Sequence, residues 1–249
     1  MFIIGTASHI YKTCRIELTD IKGLNIMKRI LFSLIITTAV FQKSYSQQYN
    51  WHELSGKINH VVSLSYGLDY GMTTCLGYGY GSSVAGLPLV LTVDYSFPSG
   101  SNLFDDFKVH TGFHVSSPMR CNFRVVGKLY ADFRRLESDY TRQFNFGSDA
   151  SIVAGYFPSA FFVAAEIGFD KAIVSHIKHK EMYLEIYPEA KSGWYIPMGG
   201  NYYYGLQTGY SLGRLDVILR IGQIKAESNF DENFLPYYLT LGANFRIGE

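Results

Sequence analysis

The stretch "RCNFRVVGKLYAD", residues 120–132, decides how the rest of the chain is read. Arg120, Asn122, Arg124, Lys128, Tyr130 and Asp132 alternate with Cys121, Phe123, Val125, Gly127, Leu129 and Ala131, and only Val126 interrupts the polar row. A period of two marks a β-strand with two unlike faces. In a soluble sandwich the apolar face is the core. In a membrane barrel the apolar face meets lipid and the charged row points into the lumen. This strand fits both arrangements, so the flanking chain has to choose.

Upstream lies "MKRILFSLIITTAVFQKSYSQ", residues 27–47. Lys28 and Arg29 precede an apolar run over 30–41, and the small residues Ser44 and Ser46 precede Gln47. That is the layout of a secretory signal peptide. A run of about a dozen residues is too short to cross a ~30 Å hydrocarbon core as a helix. Residues 1–26 are therefore read as an over-long start, 27–46 as the signal peptide and 47–249 as one domain. Residues 1–46 hold six Lys/Arg and two Asp/Glu, which leaves 16 basic and 19 acidic residues and turns the formal charge from +1 to −3. Nothing in that balance suggests the basic stripe of a nucleic-acid binder. Cys14 leaves with the signal, and Cys75 and Cys121 are expected on opposite sides of the wall, unpaired.

Ten segments alternate in the same way, over 58–70, 72–81, 87–97, 106–115, 120–132, 144–156, 160–170, 201–212, 214–224 and 236–247. Each is close to the ~9–11 residues that a tilted strand needs to cross a bilayer. Every second connection is brief: "SSVAG", "SSPM", "FPS" and Gly213. The opposite set is mostly long and charged, with residues 171–200 the longest. Short turns on one side and long loops on the other are the habit of outer-membrane barrels. Aliphatic residues such as Leu89, Leu91, Val217 and Leu219 fill strand middles, whereas Tyr66, Tyr95, Phe97, Phe144, Phe146, Tyr202, Tyr237 and Phe245 gather near the ends. Rings with an apolar body favour the interfacial zone, and a soluble core gives no reason for such sorting. The sequence therefore predicts an all-β chain: a single antiparallel transmembrane barrel of about ten strands, with eight or twelve as alternatives and a long external loop.

That choice sends Asp94, Lys108, His110, His114, Arg120, Arg124, Lys128, Asp149, Glu166, Arg214, Asp216, Arg220 and Arg246 into the lumen. Opposite charges at hydrogen-bonding distance compensate one another there, so a charge network is expected to fill the barrel. Glycines including Gly77, Gly79, Gly112, Gly168, Gly205, Gly209 and Gly222 share the inward parity, and the room they leave is assigned to long Arg and Lys side chains.

With the signal, the ten segments, the "SYSQ" junction and the closing "YYLTLGANFRIGE", the chain resembles the small outer-membrane β-barrel proteins of Bacteroidota-type, Gram-negative bacteria. The resemblance implies a fold, a place in the cell outer membrane, and handling by barrel-assembly machinery during biogenesis, but no particular activity.

Candidate chemistry is sparse. "SHIKHKE" holds His176, His179 and Glu181, and two imidazoles three residues apart on a helical turn can share a zinc ion; no third ligand stands at diagnostic spacing, so a solvated loop is the preferred reading. His110 and His114, set against Asp94 or Glu166, suit either a proton relay or a polar plug. His60, Ser148 and Thr208 have outward parity, as a lipid-modifying enzyme would require, but no nucleophile motif accompanies them. "GYGYGSS" lacks the lysine and helix of a phosphate loop. Neither a cofactor nor a metal is expected. The chain is read as a non-enzymatic barrel with a side-chain-filled lumen and a structural or interaction role through its external loops. The alternatives are a narrow channel for small solutes or ions and a lipid-modifying enzyme. Its expected partners are outer-membrane lipids and an envelope protein at the loops, with no nucleic acid. Residues 171–200 are rich in apolar groups and are expected to form an ordered cap over the rim, with a short helix or strand extension, ending at the Gly199–Gly200 turn. His176, His179, Trp194 and Tyr195 are its binding candidates, and the last two its anchor.

Overall fold

The computed structural model describes residues 49–54, 58–68, 71–98, 106–118, 121–227 and 236–248. The expectations for residues 1–46 and for Arg120 lie outside these. A short helix α1 (Trp51–Leu54) precedes β1 (Ile58–Leu68), β2 (Met72–Val84), β3 (Leu87–Pro98), β4 (Phe107–Pro118), β5 (Phe123–Glu137), β6 (Thr141–Tyr156) and β7 (Phe161–His179). Helix α2 (Glu181–Ile186) and the three-residue β8 (Gly193–Tyr195) follow, then β9 (Asn201–Leu212), β10 (Leu215–Ala226) and β11 (Tyr237–Gly248). Neighbours pair antiparallel in chain order, β7 bonds to β9, and β11 returns to β1, with Val62 opposite Phe245. Ten strands thus close a barrel, and β8 adds only to the outer end of β7. No described helix is long and apolar enough to cross a membrane, which says nothing of strands.

Burial alternates as the pattern requires, with the sides of a membrane barrel. Val62, Leu91, Val93, Phe123, Leu129, Ile152, Val163, Ile167, Leu219 and Leu241 are exposed on the outside, whereas Ser63, Thr92, Asp94, Lys128, Glu166, Asp216 and Arg246 are buried within. Ala85 and Gly86 both take positive φ between β2 and β3, as two-residue hairpin turns demand. Cys121 and Asn122 do the same before β5, so that strand begins at Phe123 and not at residue 120. Cys121 is therefore exposed in a turn and not part of the wall, while Cys75 is buried, and the two are not bonded to each other.

Three strands overrun the expected lengths. β5, β6 and β7 have 15, 16 and 19 residues, against the ~9–11 that suffice for crossing. The excess is a sheet that rises past the rim, and it absorbs the first part of the segment expected to be a cap. β7 continues to His179 because residues 174–179 keep pairing with β6 beyond a register shift at Phe146/Gly147.

Candidate functional site

The lumen is filled in layers. Nearest the short-turn end, Val61, Val90, Val126, Val153, Phe162 and Ile218 point inward from six strands at similar depth, all fully or almost fully buried. Val126, the interruption in the polar row of β5, belongs to this layer. It packs with a segment that strand alternation does not describe: Tyr49, Trp51 and Leu54 join the same apolar cluster inside the barrel. Asn50 holds the segment in place, its Nδ2 donating to the carbonyls of Pro158 (3.3 Å) and Ser159 (3.0 Å) and to Ser211 Oγ (2.8 Å). Phe157, from the β6–β7 turn, folds in and stacks on Phe162 with centroids 5.3 Å apart. The residues just before β1 thus act as a stopper at the short-turn mouth.

Above the apolar layer the charges pair across the lumen. Lys128 Nζ donates to Glu166 Oε1 at 2.9 Å, and Arg220 Nη2 donates to Glu166 Oε2 at 2.5 Å. Arg220 also lies over the Tyr238 ring, 5.3 Å from its centroid. Arg246 pairs with Asp216 at 3.1 Å, both almost fully buried. Tyr203 Oη donates to Asp149 Oδ1 at 2.7 Å. Nearer the long-loop end, Asp132 joins Lys108 (3.4 Å) and His110 (2.9 Å).

Several expected members stand elsewhere. His110 takes Asp132 as its partner, not Asp94 or Glu166, although register sets Asp94 opposite it on β3 just as it sets Asp132 opposite it on β5. His114 bonds to Tyr130 Oη and packs against the rings of Tyr49 and Trp51, so it belongs to the stopper. Asp94 is buried, and neither of its carboxylate oxygens has a hydrogen-bond partner among the described residues. Arg124 is partly exposed and forms no ion pair among the described residues. Arg214 is a correction: it sits exposed in the Gly213–Arg214 turn, outside the lumen, because β10 starts one residue later.

The inward glycines also serve a different purpose from the one expected. A Cβ at Gly79 would come 2.5 Å from Tyr49 Oη, and side chains at Gly112, Gly168, Gly209 and Gly222 would collide with Tyr130, Tyr203, Phe162 and Tyr238. Rings, more than Arg and Lys stems, occupy the space they leave. Gly77 is the exception, since it makes room for Asp94 and Ser63.

At the long-loop mouth a cavity of about 360 Å³ opens between Lys108, Asp132, Arg134, Asp170, Lys171 and Asn201. Of the segment expected to cap this mouth, the two ends, Lys171–Ala172 and Met198–Gly200, line the cavity, and the stretch between them continues as β7, α2 and β8. His176 and His179 are on a strand, where residues three apart face opposite sides, so they do not converge as on a helical turn. His176 meets the Trp194 ring edge-on at 4.8 Å, and His179 stacks on Tyr183 at 4.8 Å. Trp194 rests on the outer wall, 6.3 Å from Phe146, and remains 64% exposed. Tyr195 is exposed and donates to the Lys191 carbonyl. Ile173, Met182, Ile186 and Ile196 are exposed, and of the apolar groups expected over the rim only Ala172 and Met198 line the mouth cavity. The anchoring that Trp194 provides is to the wall.

The outer face of this extension carries two kinds of residue in order. First comes a chain of rings: Tyr95–Phe107 (5.6 Å), Phe107–Phe133 (5.9 Å), Phe133–Phe146 (5.0 Å) and Phe146–Trp194, running from β3 to β8. Beyond the rings, Glu137 is held by Arg142 through two bonds of 2.9 Å, by Lys180 at 3.0 Å, and by Arg135. These three cations keep its carboxyl well below the usual carboxylate range.

No known family profile matches the chain, and no curated protein matches it. Among solved structures it is similar to the β domain of the Bordetella autotransporter BrkA, at 11% identity over 77% of this chain and 99% of that one, with a TM-score of 0.37.

Proposed function

We propose that this chain is a non-enzymatic outer-membrane barrel, closed to flow, that acts through the extension on its long-loop side. The observation that carries the proposal is the double closure of the lumen. An apolar layer stoppered by Tyr49 and Trp51 lies under a layer of charges paired across the barrel. Small barrels filled by side chains leave no aqueous path. The exposed apolar outer face supports the membrane setting, and the signal-like segment and turn lengths support the outer membrane, with short turns on the periplasmic side. Catalysis is not part of this reading. His60 is engaged by Tyr78 Oη at 2.7 Å on β1, and Ser148 is on β6, five strands away around the wall, so the outward residues that a lipid-modifying enzyme needs do not meet.

The interaction role rests on exposed apolar groups on the extension, among them Ile186 and Ile196 at 60% and 82% exposure. Planar-bilayer recording on purified protein is the test of closure. A silent bilayer is the expected result, and regular unitary steps would mean a channel. Incubation with lipid A and phospholipids followed by mass spectrometry should leave both unmodified.

A further inference from the structure

The outer faces of β5, β6, β7 and β8 are in register, and their rows show what the extension meets. Phe133, Phe146 and Val174 form one row; Arg135, Phe144, His176 and Trp194 form the next; Glu137, Arg142 and Lys178 form the third. From Phe123 to Phe133, β5 presents Val125, Gly127, Leu129 and Ala131 outward between two rings. That is one bilayer crossing with a ring at each interface. Arg135 follows two residues past the upper ring, and Arg142 and Lys178 two residues past Phe144 and His176. Cations therefore begin where lipid headgroups begin.

We infer that this face, formed by Arg135, Arg142, Lys178 and Lys180 above the ring belt, binds the phosphorylated headgroup of an outer-leaflet lipid whose acyl chains lie along Phe133, Phe146 and Trp194. The inference rests on the outer-membrane reading. Glu137 offsets one of the four positive charges and fixes the directions of three of them, which leaves their outer N–H groups preorganised. Lys178 has no ion pair among the described residues. A hollow of about 420 Å³ adjoins the cluster, lined by Arg142, Lys178, His179 and Lys180 together with Asp139 and Glu181. Those two acids lower the local positive charge, so binding should depend on the directed Arg142 and Lys178 groups more than on net charge. Guanidinium matches phosphate through paired N–H donors, and each basic residue at a membrane surface contributes roughly a five-fold gain toward anionic lipid.

The test uses protein purified from outer membranes in mild detergent, exchanged against diphosphoryl lipid A or its fully dephosphorylated form, and examined by native mass spectrometry. The wild type should retain the diphosphoryl lipid, the dephosphorylated form should wash out, and an excess of inorganic phosphate should leave the lipid in place. Lys178→Gln, which leaves the Glu137 cluster intact, should weaken retention roughly five-fold, and Lys178→Gln with Arg142→Gln about 25-fold. Lys191→Gln, on the same extension but outside the rows, should not change it. Equal retention of the dephosphorylated lipid, or no loss in either variant of a heat-modifiable barrel, overturns the inference alone. Absence of the protein from outer membranes overturns the localisation and the inference together.

Discussion

Lys128 and Glu166 stand on strands that are not neighbours, and their side chains meet at 2.9 Å inside the lumen. Glu166 also accepts from Arg220 on β10, so one carboxylate joins three strands around the barrel. Taking away one member of a buried, paired set leaves its partners uncompensated, at about 3–5 kcal/mol. Glu166→Gln is expected to lower the urea midpoint of the folded, heat-modifiable band by a corresponding amount. Adding Lys128→Met to that variant should recover part of the loss, because it removes one stranded charge. A midpoint unchanged by Glu166→Gln would show that the triad does not hold the barrel.

The stopper predicts an optical signature. The sequence has two tryptophans: Trp51 is fully buried in the lumen and Trp194 is exposed on the outer wall. In Trp194→Phe protein, the remaining emission should be blue-shifted and resistant to acrylamide. In Trp51→Phe protein, the remaining signal should be quenched by brominated lipids. Trp51→Ala should also cost about 3–5 kcal/mol of stability, as large aromatic truncations in packed interiors do. Ready acrylamide quenching of Trp51 would mean the segment does not occupy the lumen.

The extension should be sensitive to acid through Glu137. Its carboxyl is held below the ordinary value of 4.5 by Arg142, Arg135 and Lys180. A lowered folded value means the contribution is fully present above 4.5 and is lost as pH falls through the lower folded value. The protection of amides 137–142, taken relative to their intrinsic exchange rate at each pH, should therefore be high at neutral pH and fall only in strong acid. Glu137→Gln should exchange fast at neutral pH and lose the acid dependence. If wild type and variant exchange alike at neutral pH, the three cations do not order the hairpin.

Orientation can be tested with the native thiols. Cys121 is exposed in a short turn, and Cys75 is buried. A membrane-impermeant maleimide should leave Cys121 unlabelled on intact cells and label it once the periplasm is opened, while Cys75 stays unreactive. Labelling of Cys121 on intact cells would invert the barrel.

Much of the wall was legible because a period of two survives along every strand: β9 runs Asn201–Leu212 in the structure and 201–212 in the sequence reading. The lumen was legible by parity but not by partner. Parity places His110 between Asp94 on β3 and Asp132 on β5, and only side-chain direction within the lumen selects Asp132. The stopper was missed because residues 49–54 carry no alternation. The available signal was on the strands, where Val61, Val90, Val126, Val153 and Ile218 place apolar groups on the polar side at one depth. Apolar groups there need an apolar occupant, and Tyr49 and Trp51 provide it. Order, a short helix and a strand extension in residues 171–200 are legible from their apolar content, but their direction is not, because it is set by hydrogen-bond pairing to β6 that continues past the rim.

The last prediction separates the tip from the wall. Residues 180–197 contain α2 and β8, whose only strand pairing is with Ser175, His176 and Ile177. β6 and β7 pair along their full lengths without them, from Thr141 with His179 to Tyr156 with Val163. Excising 180–197 should therefore leave an assembled barrel, provided the replacement link is long enough. His179 is nine residues of strand above Asp170, which pairs with Asn201 at the start of β9. At ~3.3 Å per residue the link has to descend about 30 Å, so roughly ten Gly/Ser residues are required. The excision removes Met182, Ile186 and Ile196 from the extension and Trp194 from the outer wall, and keeps the Arg142 and Lys178 row. Crosslinks to envelope proteins in native outer membranes should then disappear, while phosphate-dependent lipid retention is weakened by the loss of Lys180 and Trp194 but not abolished, because Arg142 and Lys178 remain. If the crosslinks survive intact in an assembled, heat-modifiable variant, the tip is not the interaction surface, and partners engage the barrel elsewhere.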